Sequence, residues 1–411
     1  MVVSVIFLEE KKTEILKIVM SKDVPGGVSS TKTVLNLVIS VVGVGILALP
    51  SRIGQNGWAV STGLFGFSCF LAHYTCLLLY KCIRANDSKS LLTYPALGEL
   101  AFGKWGYIFV AITNYFNLLA ICACLLILLG DALHGLTGLA QRTCTLISLS
   151  AVIPLTWLSS MSKVSMISAI GVGAAFVTLL AVVAASITRI CDMGGIADVS
   201  VTPNNYMSMG VGFANFMNSY TVAPVVPTLI ASMRNPDDFP RVSAVAFFIV
   251  SFIFACIGFG GYLGWGSEIS KFGNVGEAIA ASQNHSSLLW ITELGIILIC
   301  LTHFIALFQP IGNGTDIVAR MILKRDRIGH VLSPLLRTLV VLFCLAVALL
   351  VPNFGNLVDL IGSTFVMLLQ LIFPFLLGYR LIGTSTAVTV AAVTLGITGM
   401  VVGTYGVVSS V

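Results

Sequence analysis

One long apolar segment of this chain contains the residues that would break it. Residues 36–58 read NLVISVVGVGILALPSRIGQNGW, and a helix that crosses a bilayer needs about 20 mostly apolar residues. Gly43 and Gly45 lie in the middle of this segment and Pro50 lies towards its end. A glycine in a helix interior costs about 1 kcal/mol relative to alanine. The segment therefore predicts a membrane helix that is interrupted, with backbone groups exposed at the break.

The composition of the whole chain excludes a soluble globular protein. Of its 411 residues, 57% are hydrophobic and 9% are charged, whereas a soluble domain carries about 25% charged residues. We expect an all-α polytopic membrane protein. Gly43-x-Gly45 is not followed by the third glycine of a dinucleotide loop, and no P-loop, HExxH or GxSxG motif occurs. We therefore expect neither an enzyme nor a metal site.

Hydropathy and flanking charge divide the chain into membrane spans. Eleven transmembrane helices are predicted, with these approximate ranges: 33–53, 57–83, 106–130, 144–160, 164–189, 207–231, 242–265, 287–310, 334–351, 354–378 and 386–409. They predict one transmembrane domain over residues 33–411, preceded by a polar leader over residues 1–32.

The basic residues predict the orientation. With the N-terminus in the cytoplasm, all but four of the 22 lysines and arginines fall on the cytoplasmic side, and the four are Arg52, Arg142, Arg189 and Lys271. Cytoplasmic loops carry such an excess, so the C-terminus is expected to be extracellular or lumenal. The basic run at residues 324–327 is then a short cytoplasmic loop, and the expected partner is the lipid bilayer, not nucleic acid. Protein partners stay open.

The sixth predicted span repeats the unusual features of the first. Residues 210–233 contain Gly210 and Gly212 and then Pro224 and Pro227. Spans one and six cross the membrane in opposite directions, and interrupted helices at matching places indicate a transporter with inverted repeats. We expect a 5+5 inverted repeat with discontinuous helices 1 and 6. The half-helix ends would offer N–H groups to a carboxylate and carbonyl groups to an ammonium.

Three stretches carry a resemblance to a known family. The first is Asn36, Gly43-x-Gly45, Leu49-Pro50 and Gly57-Trp58, and the others are residues 227–236 and 351–374. Together they resemble the amino acid/auxin permease family. The resemblance implies a leucine-transporter-type fold and a small-molecule amino acid substrate. Ile39 departs from the sodium-coupled branch, which has an asparagine there, so a proton is the expected coupling ion, with sodium possible and no other cofactor.

The predicted site residues form three groups. The substrate-binding group consists of the backbone around the first break and of side chains from span six: Val42, Gly43, Val44, Gly45, Ile46, Asn215, Phe216, Asn218 and Ser219. Phe216 would either cover the substrate or pack in the core. The ion- or proton-coupling group is Asp359, Glu293, Thr302 and His303, of which Thr302 rests on the resemblance. The gate residues are Arg52, pairing with Asp359 or Glu293, and Tyr220.

Other interpretations of these residues stay open. Glu293 would face water at the interface, His303 would be a buried imidazole bonded to a neighbouring helix, and Arg52 would extend its side chain to the interface.

The expected function is secondary active transport of amino acids by alternating access, and neutral amino acids are the expected substrates. The alternatives are a sodium-coupled or exchange-type carrier of other amino acids, aromatic or indole acids or polyamines, and an amino acid sensor without net flux. Both the plasma membrane and a vacuolar or lysosomal membrane are compatible with the sequence.

Overall fold

The computed structural model describes residues 27–86, 93–157, 161–203, 205–282, 286–323, 326–351 and 353–409. Most of the predicted leader therefore lies outside the described residues. Within them the fold is all-α, with one isolated pair of bridging residues, Val28 and Met233.

The helices are α1 Ser30–Val41, α2 Leu49–Asn56, α3 Trp58–Ala85, α4 Tyr94–Thr137, α5 Gln141–Thr156, α6 Met161–Asp192, α7 Tyr206–Ser219, α8 Val226–Ser232, α9 Phe239–Trp265, α10 Val275–Ala281, α11 Ser286–Leu323, α12 Asp326–Leu350, α13 Phe354–Ile361, α14 Phe373–Ile382 and α15 Thr386–Val408.

The structure supports a multi-pass membrane protein but not the full count of eleven spans. In the described part of the chain, 8 helices are long and apolar enough to cross a membrane, or 9 if the bent pair α1 and α2 is one span. α5 has only 16 residues and contains Pro154. α7 and α8 have 14 and 7 residues and are separated by a break. Eleven spans stay a prediction.

The interruption expected in the first span is present. α1 ends at Val41, the backbone is extended at Gly43, and a 3₁₀ segment, Val44–Ala48, leads into α2. The two halves are bent by 53°. Pro50 lies in the first turn of α2, where its missing N–H costs no hydrogen bond.

The sixth predicted span is interrupted as well. α7 ends at Ser219, and a 3₁₀ segment, Ala223–Val225, precedes α8. Pro224 and Pro227 lie in the first turns of these two elements. A proline disfavours helical geometry in the residue before it, so the two prolines account for the position of the break.

Gly57 makes the tight turn between α2 and α3. Its φ is +71°, and a Cβ there would lie 2.7 Å from the backbone of Val201 and Thr202. A positive φ and such a close approach both favour glycine. This explains why the sequence has glycine directly after α2.

The two ends of the bundle are distinguished by the segments that cover them. At one end, which we call the lid face, residues 266–281 form a lid made of the 3₁₀ segment Gly266–Lys271 and α10. At the opposite face, the Val28 backbone pairs with Ser232 and Arg234. Between the faces, α11 packs along α4 and α6, and α9 packs on α1 and α2.

Candidate functional site

The two helix breaks face one internal cavity of about 370 Å³. Its walls come from α1 and the first break, from the second break, and from α4, α11 and α13. Ile39 and Ser40 of α1 line it, and both precede the break. The cavity therefore extends from the level of the breaks towards the opposite face.

Part of the predicted substrate-binding group lines this cavity. From the first break these are Gly43, Gly45 and Ile46, and from the second they are Asn218 and Ser219. A Cβ at Gly45 would lie 3.7 Å from Asn218 Nδ2 and 3.9 Å from Ser219 Oγ. The two breaks thus approach each other across a narrow space, which a Cβ at Gly45 would already bring to van der Waals contact.

Other members of that group lie elsewhere. Val42 lines a second, apolar cavity of about 160 Å³ beside the first break. The Phe216 ring is fully buried and contacts Phe65 edge-on. Asn215 is also fully buried, and its Nδ2 donates to Asp359 Oδ1 at 2.8 Å. None of the three lines the main cavity, and their contact with substrate stays a prediction; the Val44 side chain lies outside the described part.

Arg52 and Asp359 form a buried ion pair on the lid side of the cavity. Arg52 Nη2 lies 2.7 Å from Asp359 Oδ2, and the two side chains are 6% and 1% exposed. This geometry excludes the interpretation in which Arg52 extends to the interface. A Cβ at Gly355 would lie 2.5 Å from Arg52 Nη2, so a side chain at position 355 would displace the guanidinium from its present place. The gate role of Arg52 stays a prediction. The coupling role of Asp359, whose carboxylate is held in this pair, stays a prediction as well.

Tyr220 is also fully buried. Its hydroxyl lies 2.9 Å from Ser251 Oγ on α9, and its ring stacks on Phe247. The residue therefore fastens the end of α7 to α9, and its predicted gate role is untested by this arrangement.

The remaining predicted coupling residues separate into two places. Glu293 is 2% exposed, which corrects the interpretation that it faces water, and its carboxylate lies against Gly135 and Gly276 near the lid. Thr302 and His303 line the main cavity. His303 also lines the second cavity together with Val42, so it lies where α11 meets the broken end of α1.

The lining of the main cavity is polar in places but carries no carboxylate, lysine or arginine among the described residues. Asn117 of α4 is 4% exposed, and its Oδ1 has no hydrogen-bond partner. Asn114 lies one turn earlier and lines the same wall. The sequence interpretation missed both, although two asparagines three residues apart in an apolar span are visible in it.

Gln370 holds the second break in place, and the sequence interpretation missed it too. Its Oε1 accepts from the backbone N–H of Val222 at 3.0 Å and of Ala223 at 2.8 Å, and its Nε2 donates to Thr75 Oγ1 at 3.0 Å. Gln370 belongs to a π-helical segment, Gly362–Ile372. The side chain satisfies two N–H groups that the interrupted helix leaves without partners.

We expect Gln370→Leu to destabilise the protein by at least about 2 kcal/mol, since each buried N–H left unpaired costs about 1–3 kcal/mol. Thr75→Ala removes only one bond of the same side chain and is expected to cost about 1 kcal/mol. Thermal unfolding of the purified variants measures both. Equal unfolding temperatures for Gln370→Leu and the unsubstituted protein would show that Gln370 does not stabilise the second break.

Comparisons with known proteins agree with this architecture. A family model described as "Transmembrane amino acid transporter protein" matches residues 26–411. Three similar proteins come from Arabidopsis thaliana. Amino acid transporter AVT1B is 30% identical over 92% of this chain and 71% of its own length, and amino acid transporter AVT1C is 30% identical over 95% and 72%. Amino acid transporter AVT1J is 28% identical over 94% of this chain and 92% of its own length.

Proposed function

Because the chain belongs to the family of transmembrane amino acid transporter proteins, we propose that it is a proton-coupled secondary transporter of neutral amino acids. It works by alternating access, with eleven spans in two inverted repeats of five and one additional span. The lid face is extracellular or lumenal and the opposite face is cytoplasmic. This orientation rests on the distribution of basic residues, since Arg142, Arg189 and Lys271 fall at the lid face.

The observation that carries the proposal is the meeting of two broken helices at one uncharged cavity. The first N–H groups after the break at Gly43 have no partner within their own helix, and they suit the substrate carboxylate. The last carbonyl groups of α7, beside Asn218 and Ser219, suit the ammonium. A neutral side chain fits the rest of the wall, where Asn117 Oδ1 has no partner.

Ile39 and His303, beside the first break, support protons over sodium. Thr302 does not discriminate between the two ions: its hydroxyl donates to the carbonyl groups of Leu298 at 2.8 Å and Ile299 at 3.0 Å, and its oxygen can still accept or bind a cation. Ile39 supplies no side-chain oxygen. His303, in contrast, lines both cavities beside the first break, and histidine is the side chain whose unperturbed pKa lies in the physiological range. His303 is therefore the proposed coupling residue.

Uptake into reconstituted vesicles tests the function. We expect neutral amino acids to accumulate when the lid-face side is acidic, and a gradient of about one pH unit supports about tenfold accumulation for one proton per substrate. Sodium is expected to have no effect. The measurement uses a labelled panel of neutral, acidic and basic amino acids, an indole acid and a polyamine.

Each other outcome identifies a different function. Flux that follows sodium contradicts proton coupling, and exchange without net accumulation indicates an exchanger. Preference for the basic amino acids, polyamine or indole acid contradicts a neutral substrate. Binding without flux under every gradient indicates a sensor.

A further inference from the structure

The lid is docked over the buried ion pair. Ser51 Oγ of α2 donates to the Phe272 carbonyl of the lid at 2.7 Å. Ile269 of the lid is fully buried, and its Cγ2 would lie 2.6 Å from a Cβ at Gly54. The lid thus covers α2 beside Arg52, so undocking it must accompany any opening at this face.

A group of carboxylates lies where the lid meets α4. Asn274 Nδ2 of the lid donates to Glu277 Oε1 at 2.9 Å and lies 3.4 Å from Asp131 Oδ2 of α4. The Asn274 amide thus lies between the Asp131 and Glu277 carboxylates and holds them close together. Two neighbouring carboxylates repel each other when both are ionised, so a proton held by either of them favours the docked geometry.

A third carboxylate points at the same boundary from α11. Glu293 is 2% exposed, and no hydrogen bond joins its carboxylate to a described residue. Its Oε1 would lie 3.2 Å from a Cβ at Gly135 of α4 and 3.2 Å from a Cβ at Gly276 of α10. The carboxylate therefore lies in the gap between α4 and the lid helix, and no described residue is paired with its charge.

Among the described residues, no lysine or arginine forms a salt bridge with these carboxylates. The titratable neighbours are His134 of α4, which is exposed, and the Cys300 thiol of α11. Gln141 of α5 donates to Asp131 but is uncharged. Lys271 of the lid lies 3.9 Å from Glu268, and no group of metal ligands was found among the described residues. The position is thus suited to protons and not to a metal ion.

We propose that Asp131, Glu277 and Glu293 form a proton-binding site at the lid, and that protons taken up from the lid-face compartment dock the lid. When the site loses its proton, like charges on α4, α10 and α11 repel and the lid undocks. One consequence rests on the proposed function: in a transporter, protons outside the lid face would favour the state that is closed at that face. The docking itself is measurable without substrate.

The expected direction follows from linkage. Burial raises the pKa of the Glu277 carboxyl. A group whose pKa is raised in the docked state stabilises that state at low pH, and the stabilisation is lost as the pH rises through the raised pKa. Docking is therefore favoured in acid and weakened at alkaline pH.

Labelling of a buried lid cysteine tests this. Ile269→Cys, in a background with Cys191→Ser to remove an exposed thiol, reacts with a membrane-impermeant maleimide only when the lid lifts. The protein is placed in nanodiscs of phosphatidylcholine, which expose both faces. Each rate is divided by the rate at which Cys191 of the unsubstituted protein reacts at the same pH, which corrects for the ionisation of the thiol. We expect the normalised rate to be about tenfold higher at pH 8 than at pH 5, since one pKa unit of preference corresponds to a tenfold shift.

Glu277→Gln keeps the size of the side chain and removes its charge, so its normalised rate is expected to stay low at both pH values. Glu268→Gln is the matched control, because Glu268 lies on the same lid with its side chain 64% exposed. Its normalised rate should depend on pH as it does in the Ile269→Cys, Cys191→Ser protein. A pH-independent normalised rate in the Ile269→Cys, Cys191→Ser protein, or full pH dependence after Glu277→Gln is added to it, would overturn the proposal. If Glu277→Gln does not fold, Asp131→Asn is measured and judged in the same way. Failure here leaves the uptake experiment unaffected, because no substrate is present.

Discussion

Replacing Gly45 with leucine is expected to abolish amino acid uptake while leaving membrane insertion intact. The added side chain would point at Asn218 and Ser219, whose nearest side-chain atoms lie 3.7 and 3.9 Å from a Cβ at this position. It would fill the space between the two breaks and separate a substrate from the freed backbone groups. Losing two hydrogen bonds to a charged substrate costs about 3 kcal/mol or more, which corresponds to at least about 100-fold in affinity.

Two further variants separate this effect from a general loss of stability. Gly43→Leu should also abolish uptake, because Gly43 lines the cavity and a leucine there would occupy it. The protein should still fold, since a Cβ at this position would meet no atom closer than 4.0 Å. Gly63→Leu in α3 is the matched control, because it faces open space with nothing within 4 Å and should transport like the parent. Uptake is measured in vesicles with equal amounts of inserted protein. Wild-type uptake by both cavity variants would show that the substrate binds elsewhere.

Neutralising Arg52 alone is expected to reduce uptake by at least about 100-fold. Arg52→Gln leaves Asp359, whose side chain is 1% exposed, without its 2.7 Å partner. Removing one member of a buried ion pair costs about 3–5 kcal/mol, because the other charge stays buried and unpaired. The pair lies on the lid side of the cavity, so its disruption should affect both closure at that face and stability.

A double-mutant cycle measures the coupling between the two charges. Arg52→Gln with Asp359→Asn removes both charges, and its uptake and unfolding temperature should exceed those of Arg52→Gln alone. Arg84→Gln is the matched control, since Arg84 pairs with Asp237 at 2.6 Å but the two side chains are 44% and 73% exposed. An exposed pair contributes about 0–1 kcal/mol. Parental uptake by Arg52→Gln would rule out a gate at this pair.

The site was predicted from sequence where backbone chemistry determines it. Gly43 and the Pro224–Pro227 pair disfavour a continuous helix through their own geometry, so both breaks could be placed without a structure. Side-chain roles were harder. Asn215 and Phe216 neighbour Asn218 in sequence, but they lie on a different side of α7, where they contact Asp359 and Phe65.

Residues that act through distant partners could not be found in this way. Gln370 is a single polar residue in an apolar segment, and its partners Val222, Ala223 and Thr75 lie 147 to 295 positions away. Asp131 follows directly after a predicted span and gave no separate signal. Its significance comes from Glu277 and Glu293, which α10 and α11 bring beside it.

The sequence by itself determined that this is a multi-pass membrane protein whose first and sixth predicted spans are interrupted. Too few charges are present for a soluble surface, and glycine and proline act locally, so neither conclusion needs contacts between distant residues. The tertiary structure alone decided which polar groups share the cavity, that Arg52 pairs with Asp359 and not with Glu293, and that Glu293 lies beneath the lid. Those pairings depend on how separate helices pack, because a buried charge must find its partner in space and not along the chain.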